Sequence, residues 1–198
     1  KDCFDLTADA FDLSERLQTP VIVMSDLDLG MNDHMCAPFS WDDNRRYDRG
    51  KVLNAEQLDE LTNKGERFGR YNDVDDDGIC YRTYPGTHPT KGAFFTRGTS
   101  RDPYAVYSED GDIYVDNVNR LNKKFNTAKE LVPKPLLVPA KNANKKSDVG
   151  IIYYGTSEAS AKEAMDMLAS KGVFVDGLRI MAFPFHNSIA EFIDNHQT

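Results

Sequence analysis

Along residues 2–18 the apolar positions Cys3, Phe4, Leu6, Ala10, Phe11, Leu13 and Leu17 recur every three or four residues, the stripe of an amphipathic helix. The run Thr19–Leu27, "TPVIVMSDL", follows at once and reads as a buried strand. A helix leading directly into an apolar strand is the repeating unit of a parallel α/β sheet, whose strands are covered on both faces. From Gly30 to Asp112 the pattern dissolves into Gly, Pro, Asp and Asn. It holds one short helix from Ala55 to about Lys64, for which Asn54 and Gln57 supply an N-cap and its reciprocal partner. So long a mostly irregular stretch exceeds an ordinary loop.

A second helix is marked between Asp112 and Leu131 by Ile113, Val118, Leu121, Phe125 and Ala128, and Pro133, Pro135 and Pro139 forbid its continuation. Lys134–Ser147 reads as a linker. The remainder is regular: a strand Val149–Tyr154, Ser157 as N-cap, and a helix over 158–171 with Ala161, Ala164, Met165 and Leu168 inward. Gly172 then serves as C-cap, a strand follows near 173–182 and a helix near 188–195. This order predicts an α/β fold ending in a βαβα unit with a two-strand parallel sheet. Parallel pairs that small do not stand alone, and the chain begins at Lys1 instead of Met, so a chain cut at both ends is the expectation.

Composition changes this picture little. Hydrophobic residues at 40% and charged residues at 28% of 198 suit a globular chain, and no apolar run reaches the ~18 residues of a membrane span. The net charge of -8 is uneven: residues 1–79 hold 19 acidic and 9 basic side chains, residues 80–198 hold 13 and 15. A general nucleic-acid binder would be basic, so none is expected as partner, and neither is a membrane. Cys3, Cys36 and Cys80 are odd in number and widely spaced, with no CxxC pair, which excludes a disulfide framework and a zinc or iron–sulfur site and points to a reducing cytoplasm. The stretch "KDCFDLTADAFDL" carries four aspartates where a signal peptide needs an apolar core.

Candidate chemistry begins with "DVDDDGI", residues 73–79. A helix–loop–helix calcium site needs oxygen ligands at alternate positions, glycine at position 6 and a bidentate Glu at position 12. Asp73, Asp75, Asp77 and Gly78 fit, whereas position 12 is Tyr84 and flanking helices are missing. The three aspartates are therefore a candidate metal half-site, with an Asp-rich turn bonded to nearby backbone N–H groups as the alternative. Asp26, Asp28, Asn32 and Asp33 lie at the C-terminal end of the expected strand, where α/β sheets place ligands, and caps or turns would also explain them. His34, His88, His186 and His196 are scattered without metal-ligand spacing, and no nucleophile has a readable partner. Gly50, Gly86, Gly92 and Gly98, near Arg49, Lys51, Lys91 and Arg97, could hold an anion but form neither a P-loop nor a GxGxxG turn.

The order "AFDLSERLQTPVIVMSDLDLGMND", "RGKVLNAEQL", "DVDDDGICYRTYPGTHPTKGAFFTRGT" resembles the alpha subunit of 2-oxoacid:ferredoxin oxidoreductases, most closely the 2-oxoglutarate (KorA-like) branch. The segment Arg70–Gly98 matches its recurrent block, and the resemblance runs through the whole chain. It implies a cytoplasmic, oligomeric enzyme that decarboxylates a 2-oxoacid on thiamine diphosphate with magnesium, passes electrons through an iron-sulfur cluster to ferredoxin and leaves the acyl group on coenzyme A. A beta subunit and ferredoxin are the implied partners. Residues 1–29 would be the last helix and strand of a pyrimidine-side thiamine domain, 30–133 an extended connection, and 134–198 a partial transketolase C-terminal-like domain. The family's catalytic and cofactor motifs would lie upstream of Lys1, so the resemblance places no catalytic residue in this chain, assigns it no cofactor contact beyond the candidate calcium at the acidic loop, and makes the isolated chain inactive. Where family members carry a His-containing stretch after Thr96-Arg97-Gly98, this chain has "TSRDPYAVYSED". Two other readings stay open: an autonomous module with a calcium-binding loop, and a relative acting on pyruvate or a branched-chain 2-oxoacid.

Overall fold

The computed structural model describes residues 1–33, 35–141 and 147–197. His34 and residues 142–146 of the expected linker lie outside them. The chain divides into two compact units, one of residues 1–4, 23–41 and 129–198, the other of residues 5–22 and 42–128.

The first unit is a small α/β assembly around a three-stranded sheet. Strands β1 (Leu136–Val138), β2 (Gly150–Tyr154) and β3 (Asp176–Ile180) lie in the order β1-β3-β2. β2 runs parallel to β3, with Ile152 opposite Leu178, and helix α5 (Ser157–Ser170) makes the crossover. β1 pairs antiparallel, with Leu137 opposite Leu178. Leu178 is thus central in the middle strand and fully buried, and Ile189 and Phe192 of helix α6 (Asn187–Asp194) close over it. A Cβ on Gly150 would stand 2.6 Å from the Phe192 ring, so this glycine lets the helix lie close on the sheet.

Three expectations change here. The linker contains a strand, so the sheet is mixed with three strands, not a parallel pair: "LLV" sits between Pro135 and Pro139, and an edge strand tolerates flanking prolines because its outer side needs no ladder bonds. Ser157 does not cap α5. Thr156 holds the N-cap position, and the Ser157 hydroxyl donates to the Tyr154 carbonyl instead. Ala161 and Met165 are buried but Ala164 and Leu168 are exposed, because α5 meets its small sheet along one row of i, i+4 side chains. Its C-terminus does close through Gly172 at φ +80°, with the Val173 N–H reaching the Leu168 carbonyl.

The expected strand Thr19–Leu27 is also absent. No ladder forms there, Ile22 and Met24 are 79% and 82% exposed, and a five-residue helix α2 (Leu27–Met31) starts at its end. An apolar run becomes a strand only with a neighbour to share its backbone bonds, and no described strand pairs with it.

The second unit is built from α1 (Asp2–Leu17, from Asp5 onward), α3 (Ala55–Asn63) and most of α4 (Gly111–Leu131), joined by long irregular segments. The capping box at α3 is complete: Asn54 accepts from the Gln57 N–H, and Gln57 accepts from the Asn54 N–H, each at 2.9 Å. In α1, Leu13 and Leu17 are buried as the stripe requires, while Cys3 and Phe11 are exposed. Helix α4 follows its pattern near its ends, where Ile113 is half-buried and Ala128 buried, and departs from it in between. Val118, Leu121 and Phe125 are 37%, 42% and 48% exposed, whereas polar residues face the unit. Asn117 donates to the Arg101 carbonyl at 2.8 Å, Arg120 to the Gly78 carbonyl at 3.2 Å and Thr127 to the Asp77 carbonyl at 2.6 Å. The irregular chain beside it offers unpaired carbonyls, and hydrogen-bond donors satisfy those better than apolar side chains do.

Candidate functional site

The acidic loop is built on backbone bonds and one lysine. The Asp73 carboxylate accepts from the N–H groups of Asp77 and Gly78 at 3.1 and 2.9 Å, and Asp77 accepts from the Ile79 N–H at 2.9 Å. Gly78 sits at φ +79°, the conformation that such a turn demands. Lys51 then enters with its ammonium 2.6 Å from Asp75, 2.8 Å from Asp77 and 3.0 Å from the Ile79 carbonyl it donates to. Lys123 pairs with Asp76 and stands 3.6 Å from Asp73. The three aspartates proposed from spacing are therefore brought into one loop, and their oxygens point at N–H groups and ammonium groups. Among the described residues no group of three or more His, Cys, Asp or Glu is arranged to hold a metal ion.

Protonation follows this wiring. Hydrogen bonding from Lys51 holds the Asp75 carboxyl below its ordinary value against the opposing effect of burial, and the Tyr81 hydroxyl helps. Burial pulls the Lys51 ammonium down, but Asp75 and Asp77 outweigh it and the net shift is upward. The tie is thus complete above the ordinary carboxylate range and is lost as pH falls through the lowered Asp75 value. On the alkaline side it holds below the ordinary lysine value and goes as pH rises through the raised one. Lys51→Met is expected to lower stability by about 1–2 kcal/mol, since both carboxylates keep some contact with solvent. Urea unfolding at neutral pH checks the loss, and the same measurement in acid should show wild type and variant converging.

The other candidates are placed separately. Asp26 caps α2, accepting from the Leu29 N–H at 2.9 Å, and accepts the Thr156 hydroxyl at 2.6 Å, which depresses its carboxyl. Asp28 lies within α2, Asn32 ends it, and Asp33 is exposed. His88 accepts from the Thr90 and Lys91 N–H groups, and His186 caps α6. His196 bridges the Phe192 carbonyl and Asp176 at 2.6 and 3.2 Å. Around the glycine segments Lys91 pairs with Asp59, Arg49 with Glu15 at 3.5 Å, and Arg97 lies 5.6 Å from the Tyr107 ring centre. Lys91, Arg49 and Arg97 are thus each engaged within the chain. Sequence reasoning missed Lys51 as the partner of the loop, although the opposite charge in "RGK" was its available signal.

No protein-family model and no curated protein matches the sequence. Four solved chains match in fold. One is a 2-oxoglutarate:ferredoxin oxidoreductase from Magnetococcus marinus, solved with 2-oxoglutarate, coenzyme A and succinyl-CoA bound. The TM-score is 0.76 at 21% identity, and the match covers all of this chain and 32% of that one. This chain therefore shares the fold of about a third of a 2-oxoglutarate:ferredoxin oxidoreductase chain.

Proposed function

We propose that this chain is a scaffolding, subunit-contacting part of the alpha subunit of a 2-oxoglutarate:ferredoxin oxidoreductase. The observation that carries this reading is the fold match over the chain's full length. Within it, residues 1–29 serve as the end of the pyrimidine-side domain, 30–133 as the connection and 134–198 as part of the transketolase C-terminal-like domain. The free, exposed thiol of Cys36 suits a cytoplasmic enzyme.

Thiamine diphosphate with magnesium supplies the decarboxylation in such an enzyme, an iron-sulfur cluster the electron path to ferredoxin, and coenzyme A the acyl acceptor. The part played by this chain is to hold shape and present contact surface. Lys51, Asp73 and Asp77 lock the connection, and α4 spends its polar face on that connection while its apolar side, at Val118 and Leu121, is left outward. An apolar helix face directed outward is how a subunit contact is written.

Two experiments test this. The 198-residue chain supplied with thiamine diphosphate, magnesium, 2-oxoglutarate, coenzyme A and ferredoxin should give no turnover, and measurable turnover would overturn the scaffolding role. In the assembled enzyme, Val118→Asp with Leu121→Asp should release the beta subunit on size-exclusion chromatography and lower activity at least tenfold. An intact assembly would contradict the contact role of α4. Calcium titration by calorimetry separates the alternative module: micromolar binding lost in Asp75→Ala would favour it over the Lys51-tied loop. Pyruvate or a branched-chain 2-oxoacid outperforming 2-oxoglutarate would move the chain to a related enzyme.

A further inference from the structure

Helix α6 is fastened to the sheet at its C-terminal end by one buried histidine. The His196 side chain is 8% exposed, with Nδ1 standing 2.6 Å from the Phe192 carbonyl oxygen and Nε2 3.2 Å from a carboxylate oxygen of Asp176. Its ring centre lies 4.2 Å from that of Phe192, a member of the Leu178 core. The other Asp176 oxygen accepts the Ala140 N–H at 2.7 Å, just beyond β1. One ring therefore links the end of α6, the first residue of β3 and the exit of β1.

Both partners of this ring are acceptors. A carbonyl and a carboxylate have no proton to give, whereas a neutral imidazole carries a proton on one nitrogen only. The two contacts are both hydrogen bonds only when the ring is doubly protonated; in the neutral ring one bare nitrogen faces an oxygen, lone pair against lone pair. The surroundings favour that charge. The Phe192 carbonyl belongs to the last turn of α6, where the helix dipole attracts a cation, and Asp176 supplies the counter-charge.

Among the described residues Asp176 is the charged group against the ring. β2 meets it with Gly150, where a Cβ would stand 3.0 Å from the ring, and Asp148 before that strand accepts the Gln197 N–H on its carbonyl. On α6 Glu191 and Asp194 are exposed, and beyond Ala140 Lys141 is paired with Asp166.

We propose that His196 is a proton-operated latch, holding α6 on the sheet while its ring carries two protons and Asp176 is ionised, and releasing the helix when the ring is neutral. A folded state that keeps a proton the unfolded chain has shed loses stability as pH rises, so the latch opens towards the alkaline side of the histidine range. Release uncovers Leu178, Ile189 and Phe192, the apolar cluster under α6. The latch belongs to this unit alone and does not depend on whether the parent enzyme turns over 2-oxoglutarate.

The test is NMR on the 198-residue chain, titrated from about pH 6 to about pH 9 across the ordinary histidine value. At the lower end the His196 ring should show the nitrogen shifts of an imidazolium, with a proton on each nitrogen. As the second proton leaves, the protection of α6 amides against hydrogen exchange, corrected for the intrinsic rate, should fall at least tenfold in the same pH interval. His196→Gln should lose this response, and His186→Asn, which leaves a capping side chain at the other end of α6, should retain it. A ring with one proton at about pH 6, ring deprotonation without loss of α6 protection, or an equal response in His196→Gln overturns the proposal. The first two outcomes are read from the unaltered protein, so they decide the matter if His196→Gln fails to fold.

Discussion

Gly78→Ala lowers stability by about 2–6 kcal/mol, the largest single effect expected in the unit of residues 5–22 and 42–128. Two causes add. Residue 78 holds φ +79°, where a side chain is strained by about 1–3 kcal/mol. A Cβ there would also strike the backbone of α4, at the Lys124 N–H and within 2.7 Å of the Arg120 carbonyl and the Lys124 Cα. Backbone in the middle of a 21-residue helix does not swing aside as a flexible side chain would, so overpacking adds about 1–3 kcal/mol. Any shift that relieves the clash also moves the Asp73 bonds to residues 77 and 78 and the Thr127 bond to Asp77. Thermal melting followed by circular dichroism measures the loss. Gly65→Ala, at φ +75° with open space around it, separates the two causes by retaining only the backbone strain.

Leu178→Ala carries the largest expected effect in the other unit, about 3–5 kcal/mol, the upper part of the range for a buried leucine. The side chain is fully buried on the middle strand, with α6 packed against it, so the site has no slack with which to collapse. A three-stranded sheet has no second core layer to take the load. Leu137→Ala is the matched control: it lies opposite Leu178 in register but is 64% exposed, so its loss should stay within about 1 kcal/mol. Urea unfolding of both variants tests the pair, and equal losses would contradict this account of the core.

Sequence reading succeeded where structure is local. The α3 capping box needs only Asn54 and Gln57, three residues apart, and Gly172 ends α5 through bonds within its own last turn. It failed where the outcome depends on distant partners. The run at 19–27 has strand composition but no ladder neighbour, and "LLV" at 136–138 has proline flanks yet finds β3 forty residues later. Periodicity located α4 and its inward Ala128, but could not tell that Val118, Leu121 and Phe125 stay exposed, because that depends on the irregular carbonyls of Gly78 and Arg101. The acidic loop was visible as a loop, while its tie to Lys51 spans more than twenty residues of sequence. The guanidinium groups of Arg70, Arg101 and Arg120 gather around the Tyr71 ring from positions that no spacing rule connects.

The most direct test of the central claim is to purify the native assembly that contains this chain and measure 2-oxoglutarate-dependent, coenzyme A-dependent reduction of ferredoxin. The account predicts that this activity co-purifies with the chain and falls at least tenfold when Val118→Asp and Leu121→Asp are introduced. An assembly that contains the chain yet reduces no ferredoxin with 2-oxoglutarate or any other 2-oxoacid would contradict it.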